Sequence, residues 1–111
     1  MTNTLHGYIY KKRDDVLCEF EINSRPFLGL VELSSLAAHL TGKFSATLEY
    51  DNSDDLNGLF TIGDNSVVGP SDLILSLVNE SGAKAKITTR ISPPLPSGLS
   101  NHGTVDFGLP F

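Results

Sequence analysis

The sequence predicts a mainly β protein, an antiparallel barrel or sandwich of six to eight strands with one short helix after the third. Two observations support this fold class. Polar and apolar residues alternate over 43–51 and again over 83–91, as side chains do on strands that bury one face. Short clusters rich in Asn, Asp, Ser and Gly separate such stretches, and these residues favour tight turns. Alternation alone does not distinguish a barrel from a sandwich.

The segment 72–91 is predicted to be a hairpin around which the rest of the chain is organised. Its second half alternates, while 73–78 is apolar on both faces, as in a strand that is covered on both sides. Gly82 suits the turn because a residue without Cβ adopts positive φ at little cost. The alternative is a helix over 71–80 with Ser71 as its N-cap, which would make the fold α+β.

Two strands, 4–11 and 16–22, are predicted at the start of the chain. Five charged residues at 11–15 separate them, and they are interpreted as a solvated hairpin turn, with a charged contact patch as the alternative. In the second strand, Cys18 shares a face with apolar side chains, so we expect it to be a buried, unreactive thiol.

An apolar third strand and a short helix are predicted next. The strand covers 27–33, and Gly29 within it suggests a β-bulge. The helix covers 34–42, because Ser34 is a favoured N-cap residue, helix-forming residues follow it, and Gly42 suits the C-terminal end.

The remainder of the chain is predicted to form further strands and one extended segment. The most regular alternation predicts a strand at 43–51, and another begins at 59–62. The segment 92–103 is rich in Pro, Gly and Ser and is expected to be extended or mobile. Apolar residues return over 104–111 as a last strand or a docked tail. By its length, 1–111 is predicted to be a single domain.

Composition restricts the classes of function. The chain has 111 residues and a net charge of −5, which argues against binding of duplex nucleic acid through a basic face. No apolar run approaches the roughly 18 residues that span a membrane. A single cysteine and the lack of a recognisable secretory signal predict a cytoplasmic protein.

The most acidic segment, 49–64, is the first candidate site. Oxygen-bearing side chains at alternate positions follow the spacing of calcium-binding loops, but Leu56 and Ile62 stand where such loops require Gly and Glu. The segment is therefore interpreted as a solvated loop, with an acidic docking patch or a weak site for a divalent cation as the alternatives. The candidate binding residues are Glu49, Asp51, Asp54, Asp55 and Asp64.

A second candidate site is an apolar pocket inside a barrel, which would bind a small ligand. The residues predicted to line it are Phe20, Phe44, Leu48, Tyr50 and Phe60.

A third candidate is the polar side of the second hairpin strand. Lys84, Lys86 and Arg90 share that side, and with Tyr8 or Tyr10 beside them they could form a face for single-stranded nucleic acid, as on OB-fold barrels. The simpler interpretation is an edge strand that its charges protect from aggregation. Nucleic acid is therefore not among the favoured partners.

The favoured function is a non-enzymatic interaction module of inhibitor, immunity or adaptor type, which contacts a protein partner through an acidic surface. The alternatives are the ligand-binding barrel and, after it, an OB-like nucleic-acid module or a hydrolase. A hydrolase would use His39 or His102, and no role is predicted for His6. No catalytic residue, cofactor or metal is expected. Self-association is expected, because strand edges and the apolar residues 109–111 need cover.

Overall fold

The computed structural model of the protein describes residues 2–22, 24–40, 42–92, 94–96 and 98–108. Within these residues the chain forms nine β-strands and one α-helix. In chain order the elements are β1 (Asn3–Lys12), β2 (Asp15–Ile22), β3 (Arg25–Glu32), α1 (Ser34–His39), β4 (Lys43–Tyr50), β5 (Gly58–Ile62), β6 (Val67–Val68), β7 (Asp72–Val78), β8 (Lys84–Arg90) and β9 (Thr104–Phe107). In this part of the chain, no helix is long and apolar enough to cross a membrane.

Eight of the strands close into an antiparallel barrel. β1, β2 and β3 form a meander, and β9 and then β5 continue the sheet beyond β3. On the other side of β1 the order is β4, β8 and β7. The barrel closes where Thr61 and Ile62 of β5 pair with Val78 and Leu77 of β7, and the short β6 pairs with β7 next to this junction. The predicted mainly β fold is confirmed, and the arrangement is a barrel.

The predicted hairpin at the centre of the sequence is confirmed. All seven residues of β7 pair with β8 in continuous antiparallel register, so the alternative helix over 71–80 is wrong. Gly82 lies in the turn between the two strands with φ of +88°, and its N–H donates to the carbonyl oxygen of Asn79 at 3.1 Å. The Asn79 side chain also accepts the N–H groups of Ser81 and Ala83, which fixes the turn.

Alternate side chains of each strand point into the barrel and fill it. On β8, Ala85 and Ile87 are buried, whereas the lysines and threonine that alternate with them are exposed. The inward side chains form one apolar cluster that includes most of the buried residues. Within this cluster the Phe107 ring stacks on Phe27 at 5.2 Å and meets Phe60 edge to face at 5.4 Å.

The predicted bulge at Gly29 is wrong. Gly29 keeps regular register with Cys18 on β2 and with Phe107 on β9. A Cβ atom at this position would lie 2.7 Å from Cys18 Sγ and 2.9 Å from Phe107 Cδ1. Glycine therefore allows the close approach of two core side chains from neighbouring strands, which is the other common reason for glycine in a strand.

The short helix lies after the third strand as predicted, but its cap differs. The N-cap position is Leu33 rather than the predicted Ser34, and Leu33 makes no side-chain hydrogen bond there. The helix is anchored by the burial of Leu36 within it and of Leu40 directly after it. Gly42 follows with φ of +120°, as expected for a residue just after a helix.

The Pro- and Gly-rich segment after β8 has no regular secondary structure in its described residues, yet it is anchored to the barrel. Leu95 is buried in the core, and its N–H donates to the carbonyl oxygen of Pro70 at 2.7 Å. Leu99 packs against the same core. The strand predicted after this segment is β9, which is inserted between β3 and β5. Residues 109–111 lie outside the described part of the chain, so a docked tail stays a prediction.

Candidate functional site

The outer surface of the barrel is divided between a face with excess positive charge and a larger acidic remainder. The positive surface, here named the basic face, is formed by outward residues of β1, β4 and β8 and the first residue of β7. It consists of His6, Tyr8, Tyr10, Lys43, Ser45, Thr47, Glu49, Lys84, Lys86, Thr88, Arg90 and Asp72.

A groove of about 520 Å³ runs across the basic face. Its walls are formed by polar side chains from four strands, with Tyr8 and His6 on one side and Arg90 and Asp72 on the other. Arg90 Nε lies 3.8 Å from Asp72 Oδ1, and the Arg90 side chain is 90% exposed, so this ion pair is weak and leaves the guanidinium accessible.

Two tyrosines and a lysine meet on the basic face, and one of them, Tyr8, also lines the groove. Lys43 Nζ lies 4.4 Å from the centre of the Tyr8 ring and 5.4 Å from that of Tyr10. Tyr10 Oη donates to a Glu19 carboxylate oxygen at 3.2 Å. Partial burial raises the pKa of Tyr10 above its ordinary value of 10.0, and the nearby Glu19 carboxylate adds to the rise. Tyr8, by contrast, is 44% exposed and is the only exposed aromatic residue in the described part of the chain.

A second groove, of about 490 Å³, lies between the β1–β2 turn, the end of β3 and helix α1. We name it the acidic groove. Asp14, Asp15 and Glu32 are exposed at its rim together with His102. Its floor is apolar, and the partly exposed members of that floor are Leu30 and Ala37.

The acidic groove was only partly foreseen from the sequence. The charged residues at 11–15 suggested a contact patch, but Glu32 and His102 are distant in sequence from Asp14, and only the fold brings them together. Asp64 extends the acidic surface beyond His102, since the His102 Nδ1 to Asp64 Oδ1 distance is 3.9 Å. This distance exceeds hydrogen-bond reach, and both side chains are at least 80% exposed, so the pair lacks the geometry of an oriented general base.

The five acidic residues predicted as one site are separated in the structure. Asp51, Asp54 and Asp55 lie together in the loop between β4 and β5, beside a small groove of about 140 Å³ that Asp51 and Asp55 line. Glu49 lies on the basic face, opposite Lys86. Asp64 lies beyond β5, at the opposite end of that strand from the loop. A strand of five residues is roughly 17 Å long, which separates Asp64 from the loop. Among the described residues, no three metal-ligating side chains converge.

The five residues predicted to line a pocket belong to the barrel core. The side chains of Phe20, Leu48 and Phe60 are buried in it, and Phe44 and Tyr50 pack against it, partly buried. Phe60 also borders the groove at the acidic loop, and Phe20 borders a groove of about 130 Å³ next to Tyr8. No described groove is lined by Phe44, Leu48 or Tyr50.

Cys18 is the most strongly perturbed ionisable group in the described chain. Its side chain is fully buried, and burial raises the pKa of the thiol from 9.0 to about 12. Its Sγ donates weakly to the carbonyl oxygen of Gly29 at 3.6 Å. The thiolate that a nucleophile or a metal ligand requires is therefore disfavoured.

No protein-family model, no curated protein and no solved structure matches the chain. Two grooves of similar volume, the groove across the basic face and the acidic groove, are the features on which a function can be based.

Proposed function

We propose that this protein is a non-enzymatic interaction module that binds a basic segment of a partner protein in the acidic groove. The observation behind the proposal is that exposed carboxylates stand above an apolar floor. Asp14, Asp15 and Glu32 provide the negative rim, and Leu30 and Ala37 provide surface for an apolar side chain. Grooves that combine a few polar groups with apolar lining are the usual form of a binding site.

The rim carboxylates are available to a partner. Among the described residues, none of the three lies in an ion pair with Lys or Arg. Outside the basic face the chain carries four cations and eleven acidic residues, so this surface has a net charge of −7. Such an excess opposes the compact state by self-repulsion but accelerates association with a cationic partner. The charge pattern is therefore better explained by binding than by stability.

The partner chemistry follows from the groove. A segment with two or three Lys or Arg residues would neutralise the rim, and one Leu, Ile or Phe between them would cover Leu30 and Ala37. Charge alone would give fast but weak binding, because pairs of exposed charges contribute only about 0.2–1 kcal/mol each. The apolar anchor would supply the remaining affinity and the specificity.

Selection from a displayed library of random peptides tests this proposal. The wild-type protein should enrich peptides that combine Lys or Arg with an apolar residue. For one synthetic peptide of that kind, calorimetry should show that the D14N/E32Q variant binds about tenfold more weakly, a loss of about 1.4 kcal/mol.

The matched control removes the same amount of charge elsewhere. The D54N/D55N variant also loses two carboxylates, from the loop between β4 and β5, and should keep the wild-type affinity within about twofold. If both variants lose affinity equally, the binding depends only on net charge and the groove is not the site. A larger loss in D54N/D55N would move the site to the predicted acidic loop.

Two further properties stay predictions. The fully buried, protonated Cys18 supports a cytoplasmic setting, which is compatible with a free thiol.

Self-association is supported by three exposed apolar residues, Leu59, Val67 and Val78, on β5, β6 and β7. Sedimentation velocity should then show a dimer that dissociates on dilution, and a monomer at every concentration would exclude it.

A further inference from the structure

The basic face stands out because its charge opposes that of the rest of the molecule. It carries four of the eight cations of the chain but only two of the thirteen acidic residues, a net charge of +2 on a protein of −5. Lys86 and Arg90 lie on one strand at alternate outward positions, with Thr88 between them, so their side chains follow a line about 13 Å long. An extended polyanion could lie along this line.

The same face presents an aromatic ring at the edge of the groove. Tyr8 is 44% exposed, and the groove passes over it between β1, β4 and β8. Lys43 Nζ lies 4.4 Å from the ring centre, at the end of a long, flexible side chain. The ammonium group can therefore move off the ring when a planar group stacks there and remain within reach of an adjoining phosphate.

We infer that the basic face binds a short segment of single-stranded nucleic acid. One base stacks on Tyr8, Lys43 and Arg90 contact the phosphates on either side of it, and Lys86 contacts the next phosphate along β8. The hydroxyl groups of Ser45, Thr47 and Thr88 line the path and supply hydrogen bonds without selecting a sequence. This site is separate from the acidic groove, and its existence does not depend on the proposed function.

The shape and the borders of the groove favour a single strand over other anions. A duplex requires a broad basic surface, whereas Glu19 and Glu21 line the adjoining groove beside Tyr8 and end the positive region at β2. An acidic peptide would satisfy the cations but would leave the exposed Tyr8 ring without a stacking partner. The combination of an exposed ring and aligned cations is the recognised form of a site for single strands.

Fluorescence anisotropy with a labelled oligothymidylate of about twelve nucleotides tests the inference, because that length covers the site of one small barrel. At about 50 mM salt the wild-type protein should bind this probe with measurable affinity. An unlabelled duplex of the same length should compete at least about tenfold less well than the unlabelled single strand. The affinity should fall as the salt concentration rises. In a plot of the logarithm of the binding constant against the logarithm of the salt concentration, each phosphate contact contributes about 0.7 to the magnitude of the slope.

Two pairs of variants assign the binding to the basic face. K43Q/R90Q should lower the affinity at least tenfold and reduce the salt slope by about 1.4. K11Q/R25Q has the same net charge as K43Q/R90Q, −7, but loses its two cations outside the basic face. Its affinity for the oligonucleotide should stay within about twofold of that of the wild type. Tyr8→Leu should weaken binding at least about fivefold, whereas Tyr8→Phe keeps a ring for stacking and should bind normally. Circular dichroism should show that all four variants remain folded.

Several results would overturn the inference. Absence of any anisotropy change at about 50 mM salt and roughly millimolar protein would do so. Equal losses in K43Q/R90Q and K11Q/R25Q would reduce the effect to net charge. Equal behaviour of Tyr8→Leu and Tyr8→Phe would exclude stacking. Tighter binding of a labelled polyglutamate peptide than of the oligonucleotide would assign the face to an acidic protein partner instead.

Discussion

At the scale of single residues, Cys18 shows how its neighbours determine the chemistry of a side chain. Its thiol lies between β3 and the core, faces the backbone of Gly29, and is fully buried. The cost of desolvating a thiolate exceeds the help of the nearby backbone hydrogen bonds, so the pKa rises to about 12. The sequence predicted this inert character from the alternation of β2 alone.

The raised pKa of Cys18 predicts a loss of stability at alkaline pH. The unfolded chain releases the thiol proton near pH 9.0, while the folded chain keeps it until about pH 12. The contribution of this group to stability is thus complete below pH 9 and declines as the pH rises towards 12. When the pH is raised from about 8 to about 10.5, the free energy of unfolding of the wild type should fall by about 2 kcal/mol more than that of the Cys18→Ala variant.

Urea denaturation of both proteins at the two pH values measures this difference. All the other ionisable groups are present in both proteins, so their contributions cancel in the comparison. Equal losses in the two proteins would mean that the thiol is not buried as described.

The close contact between Gly29 and Cys18 predicts that substitutions at these two positions have non-additive effects on stability. Gly29→Ala should destabilise the protein by about 1–3 kcal/mol, because the new methyl group would meet Cys18 Sγ and the Phe107 ring. In the double variant with Cys18→Ala, the sulfur is absent and part of the crowding is relieved. The double variant should therefore be more stable than the sum of the single effects predicts, by at least about 0.5 kcal/mol. Strict additivity, measured by urea denaturation, would contradict the close contact.

Single residues also mark the limit of prediction for the candidate sites. Asp54 and Asp55 are adjacent in sequence, and their acidic loop was predicted. The rim of the acidic groove combines Asp14 with Glu32 and His102, which lie far apart in the chain. Composition cannot reveal such a group, because its members meet only through the pairing of β2 with β3 and of β3 with β9.

At the scale of elements, strict alternation predicted strands well and ambiguous segments less well. β4 and β8 alternate along their length, and both formed with the predicted faces. The periodicity of the run 73–78 was also compatible with a helix, and its pairing with β8 confirms the strand that was favoured. Helix α1 formed after the third strand as predicted, although its N-cap position is Leu33 rather than Ser34, and the buried Leu36 and Leu40 anchor it to the core.

The segment 92–103 leads to a prediction at this scale. Its composition suggested an extended or mobile linker, yet Leu95 is 5% exposed and lies in the core. Leu95→Ala should therefore cost about 2–4 kcal/mol of unfolding free energy. Leu59→Ala, at a 57% exposed site on β5, is the matched control and should change stability by less than about 0.5 kcal/mol. Equal effects of the two substitutions in urea denaturation would show that the segment is not anchored.

At the scale of the whole molecule, the closure of the barrel could not be derived from the sequence. The alternation of each strand leaves its neighbours undetermined, and β9 is inserted between β3 and β5, far from either in the chain. Closure matters for function because it determines which outward residues share a surface. Once β4 lies between β1 and β8, Tyr8 and Lys43 join Arg90 on the basic face, and most of the acidic residues lie elsewhere.

The division of charge predicts opposite effects of two charge-neutralising variants on stability. Because the molecule carries a net charge of −5, D14N/E32Q should reduce self-repulsion and raise the melting temperature at about 10 mM salt by roughly 2–4 °C. K43Q/R90Q removes the attraction of two cations to the acidic residues of the rest of the molecule. This variant should therefore have a melting temperature lower than that of the wild type by a similar amount. Near 500 mM salt the Debye length falls to a few Å, so both differences should shrink by more than half. Calorimetric melting at the two salt concentrations measures these shifts. A gain in stability for K43Q/R90Q, or shifts that salt leaves unchanged, would mean that packing at these sites outweighs the charge pattern on which both binding proposals depend.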